Sequence, residues 1–456
     1  MQDPSLVIVP YRYKATKLYS EIPISGIGDF TVGRALNTAT RVNSNGYIET
    51  VNADVPRLDY YTSGGTAGCP ALLVEPSGSN LCLQSQDFTT TWAATNIAVS
   101  GNTTGTLDPY GTNLADLLTA TASGSARVVQ TFSFVSGTTY TYSCFAKAGS
   151  GFFGMTMENG GVASGVAVIW NLSTGAFSVS GSVGSGYTLQ AHNIENYGNG
   201  WYRCSMRVLL GSTVAGNIRV NTSNGTMSSA IVQSDNGNSV NVFGAQAETG
   251  SVATSYIPTT TGSVIRNADV INVTGAVSGC IGQTEGTIYW DIADVRGVLT
   301  GTGNPEVGVR NQAFTNWIGL TSNGPSNPFR INARTTGGVS LINYQANITS
   351  GKAALAYSSA GLVLYVSGVS VATSATNPNF SFNRADIGNS STMPFKVNAF
   401  ALYTTRLDDA DLMVLTSPTY YSNVRDMIWD TFVARNSTYS ELPGCLQTRH
   451  NELITL

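Results

Sequence analysis

Apolar and polar residues alternate with a period of two along most of this chain, the signature of strands with one buried face. In Thr139–Ala148, Tyr140, Tyr142, Cys144 and Ala146 fall on one face, and Thr139, Thr141, Ser143, Phe145 and Lys147 on the other. The stretches 126–134, 166–172, 201–210 and 239–248 read as further strands, separated by Gly-rich turns at sandwich-like intervals. They predict one β-sandwich over 76–265. A second set, at 286–292, 317–320, 352–358, 362–371, 385–390 and from 396, predicts another over 266–418. Its last strand runs into a short helix, with Asp408 at the N-cap and Asp409 and Asp411 in the first turn, where carboxylates suit the helix dipole.

The two ends differ from this middle. Residues 1–75 predict an extended N-terminal β region. Pro10 breaks its first apolar run, which suits an edge strand or an arm. Asn45-Gly46, between TRV and YIETV, signals a two-residue hairpin turn. The region is too small for a core of its own, so it is expected either as a flap on the first sandwich or as an anchor to partners. In 419–456, Val424, Met427, Ile428, Thr431 and Phe432 recur at helical spacing, and Pro443-Gly444 ends the pattern. The expected fold class is all-β: two β-sandwich (jelly-roll or lectin-like) domains, an extended N-terminal β region and a C-terminal helix. The expected boundaries are 1–75, 76–265, 266–418 and 419–456.

Composition narrows the function. Charged residues make up 11% of the 456 and aromatics 9%, which is too apolar for a disordered chain. The net charge of −4, with 23 basic residues and no basic run, gives no footprint for nucleic acid. The start lacks a basic segment followed by an apolar signal core, and no apolar run approaches the ~20 residues that span a bilayer. No membrane insertion is expected. The six cysteines are widely spaced, without CxxC, so neither a metal cluster nor a small disulfide scaffold is indicated. Buried free thiols are expected, with a Cys144–Cys204 bridge as the alternative, since both lie on predicted inner strands of one module.

Candidate chemistry is sparse. The two histidines, His192 and His450, accompany no nucleophile elbow, zinc motif or phosphate loop, so no catalytic residue, metal or cofactor is assigned. Glycoside hydrolysis needs two carboxylates, and Glu158, Glu195, Glu285 and Asp291 lie on or beside predicted strands. A calcium site from Asp291 and Asp294 lacks a ligand pattern. Sugar binding needs an exposed aromatic face. Of Trp92, Trp170, Trp201, Trp290, Trp317 and Trp429, Trp317 is the candidate ligand-binding platform, while Trp92 and Trp201 read as core.

Two blocks carry a family resemblance. One is PRLDYYTSGGTAGCPALLVEPSGSNLCLQSQDFTTTW (56–92): Pro-Arg-x-Asp-Tyr, a Gly-rich turn, an apolar strand ending in Glu75, then Asp-Phe…Trp. The other is GAQAETGSVATSYIPTTTGSVIRNAD (244–269). Both resemble segments of structural proteins of tailed-bacteriophage virions, and the opening 28–60 (GDFTVGRA…ATRVNSNGYIE…PRLDY) resembles the start of many of them. The spacing within 136–208 resembles carbohydrate-binding-type jelly rolls, and 361–412 resembles concanavalin or laminin-G-type domains. The resemblance implies a non-enzymatic virion component (fibre, head fibre or decoration subunit) that forms a homotrimer or homodimer. Its implied partners are other virion proteins and host surface glycans. A host-receptor adhesin, or a polysaccharide depolymerase, is the alternative.

Overall fold

The computed structural model describes residues 2–418, apart from 12, 24, 63–64, 162, 212–213, 297–304, 323–328, 336–337, 347–348 and 390–392. The helix expected within 419–456, with Trp429, Cys445 and His450, lies outside the described residues. The described chain is almost entirely antiparallel strand, folded as two β-sandwiches. One short helix, Asp409–Thr416, follows the last strand, and the Asp408 carboxylate accepts from the Asp411 amide at 2.8 Å, as a cap should.

The first sandwich packs two six-stranded sheets. One runs Ala93–Thr95, Arg127–Phe134, Val214–Ser223, Phe152–Glu158, Gly165–Asn171, Ala176–Val183. The other runs Ile97–Ser100, Asp116–Ala120, Ser239–Thr249, Thr139–Ala148, Trp201–Leu210, Tyr187–Asn196. The alternation of 139–148 is realised as read: Tyr140, Tyr142, Cys144 and Ala146 enter the core with Met155, Trp170, Met206 and Val242. Cys144 and Cys204 are register partners on adjacent strands, yet both are buried free thiols.

Part of the N-terminal region is a flap on this sandwich: the hairpin Ala39–Val42 and Ile48–Val51 packs on its outer face. The other N-terminal strands complete both sheets of the second sandwich. Leu6–Ile8 pairs with Phe400–Leu402, and Leu72–Val74 with Phe395–Val397. On the opposite sheet, Thr31–Gly33 pairs with Val270–Asn272. The physical reason is two-sided burial. Leu6 and Ile8 face the main core, while Val7 faces a second cluster with Leu412 and Leu415, so this apolar run has no solvent side. The first sandwich is therefore an insertion. The chain begins in the second sandwich, leaves it at Val74, and re-enters at Val270. The exits are zipped together where Gly78–Asn80 pairs with Val264–Arg266.

The Asn45-Gly46 hairpin forms, but with a wider loop than two residues. Ala39–Val42 pairs with Ile48–Val51, the Asn43 amide donates to the Tyr47 carbonyl, and only Gly46 turns left-handed, at φ +82°. The Asn43 side chain holds the extra residues by accepting from the Asn45 and Tyr47 amides.

The insertion topology makes a prediction. Residues 76–265 expressed alone are expected to melt cooperatively, having both sheets intact. Residues 266–418 alone lack strands from each of their sheets and are expected to show no cooperative transition by circular dichroism. A cooperative melt of isolated 266–418 would refute this assembly.

Candidate functional site

The residues that mark the two motif blocks converge where the chain crosses between sandwiches. Arg57 reaches the Glu75 carboxylate at 2.6 Å with Nη1 and pairs with Asp269 through Nη2. Arg34 Nη1 lies 3.0 Å from the other oxygen of Asp269, and Arg266 Nη2 lies 3.5 Å from Glu75. All five side chains are buried, at 3% exposure or less. Ser255 supports Glu75 twice, with its amide at 2.7 Å and its hydroxyl at 2.6 Å. Asp269 also accepts from the Glu75 amide at 3.0 Å, binding the outgoing strand to the returning one. Three guanidiniums and two carboxylates are thus drawn from the N-terminal strands, both crossings and the returning chain.

The electrostatics follow from that uneven count. Burial alone would raise the Glu75 carboxyl, but Arg266, Arg57 and the Ser255 hydroxyl outweigh it and hold it well below the usual carboxylate range. Arg57 loses to burial and regains more from Asp269 and Glu75, ending above its ordinary value. Arg34 and Arg266, at the margins of the cluster, are left lowered by burial. Gly78 allows the close approach: a Cβ there would sit 3.0 Å from Glu248 Oε1 and 3.3 Å from Arg266 Nη2.

The other motif residues are equally structural. Asp59 accepts from the Val42 amide at 2.7 Å and pairs with Lys396 at 2.8 Å. The Asn80 side chain donates to the Ala245 and Ile257 carbonyls and accepts from the Cys82 and Ala247 amides. Trp92 is core, with its indole N–H on the Gln84 carbonyl at 3.3 Å.

A second junction lies on the outer face of the sheet containing Thr139–Ala148. There Phe145, Trp201, Phe243 and Tyr256 pack with Val42, Ile48 and Tyr61 of the N-terminal region. Tyr61 stacks on Tyr197 at 4.4 Å, and Arg296 bridges Glu195 of the first sandwich, at 2.7 Å, to its neighbour Asp294. The aromatic half of this face is therefore consumed in joining the sandwiches. The remaining polar half stays open as a cleft of about 940 Å³, adjoined by a recess of about 440 Å³. Arg207, Ser251, Val252 and Arg296 border both.

Trp317, expected as an exposed platform, is 5% exposed. It sits opposite Arg334 in register, and the Arg334 guanidinium lies 5.1 Å over its ring. Its face is covered, and the assignment is corrected. Trp170, Trp201 and Trp290 are also buried. The four candidate acids are dispersed: Glu158 pairs with Arg219 at 2.7 Å, Glu195 with Arg296, Asp291 accepts from the Asn398 side-chain amide at 3.0 Å, and Glu285 is exposed. His192 stacks on Phe177 at 4.1 Å, and burial lowers its pKa. Sequence reasoning missed the ion cluster as a unit, although its residues stood in the quoted motifs. Charges buried in a chain this poor in charge were the available signal.

The molecule thus belongs to the class of all-β proteins built from antiparallel β-sandwiches, here one inserted in the other. No family model matches the sequence, and no curated protein matches it. Among solved structures, the chain is similar to the N-terminal CBM22-1-CBM22-2 tandem domain of Paenibacillus barcinonensis Xyn10C. That alignment has 10% identity, covers 72% of this chain and 97% of the other, and has a TM-score of 0.22. It is also similar to the LG1-3 region of the laminin alpha2 chain, at 9% identity over 63% of this chain and 66% of that one, with a TM-score of 0.19. The fold class rests on the chain's own strand pairing.

Glu75→Gln leaves Arg57 and Arg266 short of a counter-charge and is expected to cost about 3–5 kcal/mol at neutral pH. The Glu75 contribution is complete above the unfolded carboxyl pKa of about 4.3 and is lost as pH falls through the lower folded value. Denaturant melts of parent and variant should therefore differ at pH 7 and converge in acid. A constant gap at every pH would contradict the ion-pair account.

Proposed function

We propose that this chain is a non-enzymatic structural subunit of a tailed-bacteriophage virion, of fibre, head-fibre or decoration type, acting as an oligomer. The observation that carries this reading is the use made of the motif residues. Of the residues through which the sequence resembles such virion proteins, Arg57, Glu75, Arg266 and Asp269 are spent where the chain crosses between the two sandwiches, while Asp59 and Asn80 tie strands beside that crossing. A motif devoted to holding modules in fixed relation suits a part whose work is mechanical. The long edge strand Ala176–Val183 carries no Lys, Arg, Asp or Glu, and neither does any position from 159 to 194. Charged guards on a free edge oppose strand-to-strand association, and their lack here suits contact with sister subunits.

A second reading, a glycan-recognising adhesin, is favoured by the open polar cleft on the first sandwich. Weak sugar contacts there would gain strength from many displayed copies.

Gold-labelled antibody against residues 76–265 is expected to decorate the outer surface of purified particles in electron micrographs. Mass spectrometry of the same particles should find the chain at a fixed stoichiometry. Its absence from washed particles would overturn the virion assignment, and a folded monomer at micromolar concentration would overturn the oligomer.

A further inference from the structure

Strand register arranges the outer face of the sheet in rows. One row runs Glu195, Arg203, Phe145, Phe243, and is closed by the aromatic junction. The next runs Asn193, Ser205, Ser143, Gln246, and the third Ala191, Arg207, Thr141, Glu248. Arg207, Thr141, Ser205 and Asn193 line the recess, and Arg207 continues into the larger cleft beside Thr188 and Gln190.

Arg207 is the anomaly among them. Its Nε is shielded from water and has no hydrogen-bond partner. Among the described residues it is the one arginine without a hydrogen bond or an ion pair. The carboxylates around it are already committed. Glu195 and Asp294 hold Arg296, and Glu248 accepts from the Thr254 amide and hydroxyl and from Gln246. Arg207 is thus the charged side chain of the cleft left without a hydrogen-bonding partner. A buried donor left unpaired costs free energy that a ligand acceptor restores, and a guanidinium fork matches a carboxylate in two parallel bonds. The hydroxyl and amide side chains beside it match the donor–acceptor hydroxyls of a sugar. The volume is that of a small-ligand site.

We propose that this cleft binds an acidic saccharide, with Arg207 taking the sugar carboxylate and Thr141, Ser205 and Asn193 its hydroxyls. The proposal deepens the adhesin reading above and rests on it. It places recognition on the polar half of the face, away from any tryptophan.

Isothermal titration of the full chain tests it, with sialyllactose and trigalacturonate as acidic probes and lactose and maltotriose as neutral ones. The acidic probes are expected to bind at least about tenfold more tightly, and Arg207→Gln to erase that preference. Arg207→Lys, which keeps the charge but loses the fork, should retain part of it. Thermal melts of both variants should match the parent, because no hydrogen bond or ion pair of Arg207 holds the fold. Neutral sugars binding as well as acidic ones, with Arg207→Gln without effect, would overturn the acidic assignment while leaving glycan recognition standing. Failure of every probe to bind at millimolar concentration would overturn both. Neither result bears on whether the chain resides in the particle, which the antibody labelling decides separately.

Discussion

The structure depends on compensating charge where no water reaches. Arg57 sits between Glu75 and Asp269, and these belong to the two ends of an inserted module. A buried guanidinium or carboxylate without a partner is strongly unfavourable, so the cluster tolerates very few arrangements of the chain. Hydrophobic contacts at the same junction, such as Tyr61 on Tyr197, add area without dictating a single geometry. The ions specify which way the modules meet, and the aromatic packing holds them there.

The sheet face of the first sandwich shows what that arrangement costs and leaves. Rings that would otherwise lie exposed on the sheet, Phe145, Trp201 and Phe243, are covered by the 39–61 segment. What stays open is a strip of hydroxyls, amides and one arginine. Recognition on such a strip depends on hydrogen bonds and charge, whereas stacking would need the rings already buried. By the same division, Trp92, Trp170, Trp201, Trp290 and Trp317 are all buried and none offers a stacking face.

Strands were legible in the sequence wherever one face is buried and the other wet. Thr139–Ala148 and Trp201–Leu210 have the bounds read from alternation, and the Asp408 cap was visible in its acidic first turn. Less legible was the destiny of Leu6–Ile8. A run buried on both sides carries no alternation, and its partner Phe400–Leu402 lies almost four hundred residues away. The same holds for the insertion: periodicity reports faces, while the choice of neighbour is made by long-range pairing. Trp317 misled for a related reason. A tryptophan in a polar, Asn-rich context looks exposed until a cross-strand arginine is placed over it. The ion cluster was present as five separate letters, and only tertiary proximity turned them into one object.

Insertion also decides how the molecule carries load. Residues 2 and 418 both belong to the second sandwich, and near its start Leu6–Ile8 lies against the final strand. Tension applied between those points unzips that antiparallel pairing from its Leu6/Leu402 end and bypasses the first sandwich, whose two connections leave side by side. The inserted module hangs outside the line of force, like a sign on a post. The cleft wall made by Thr188, Arg207 and Glu248 stays with the unloaded module, while the wall made by Arg296, Met393 and Pro394 belongs to the sandwich that bears the strain.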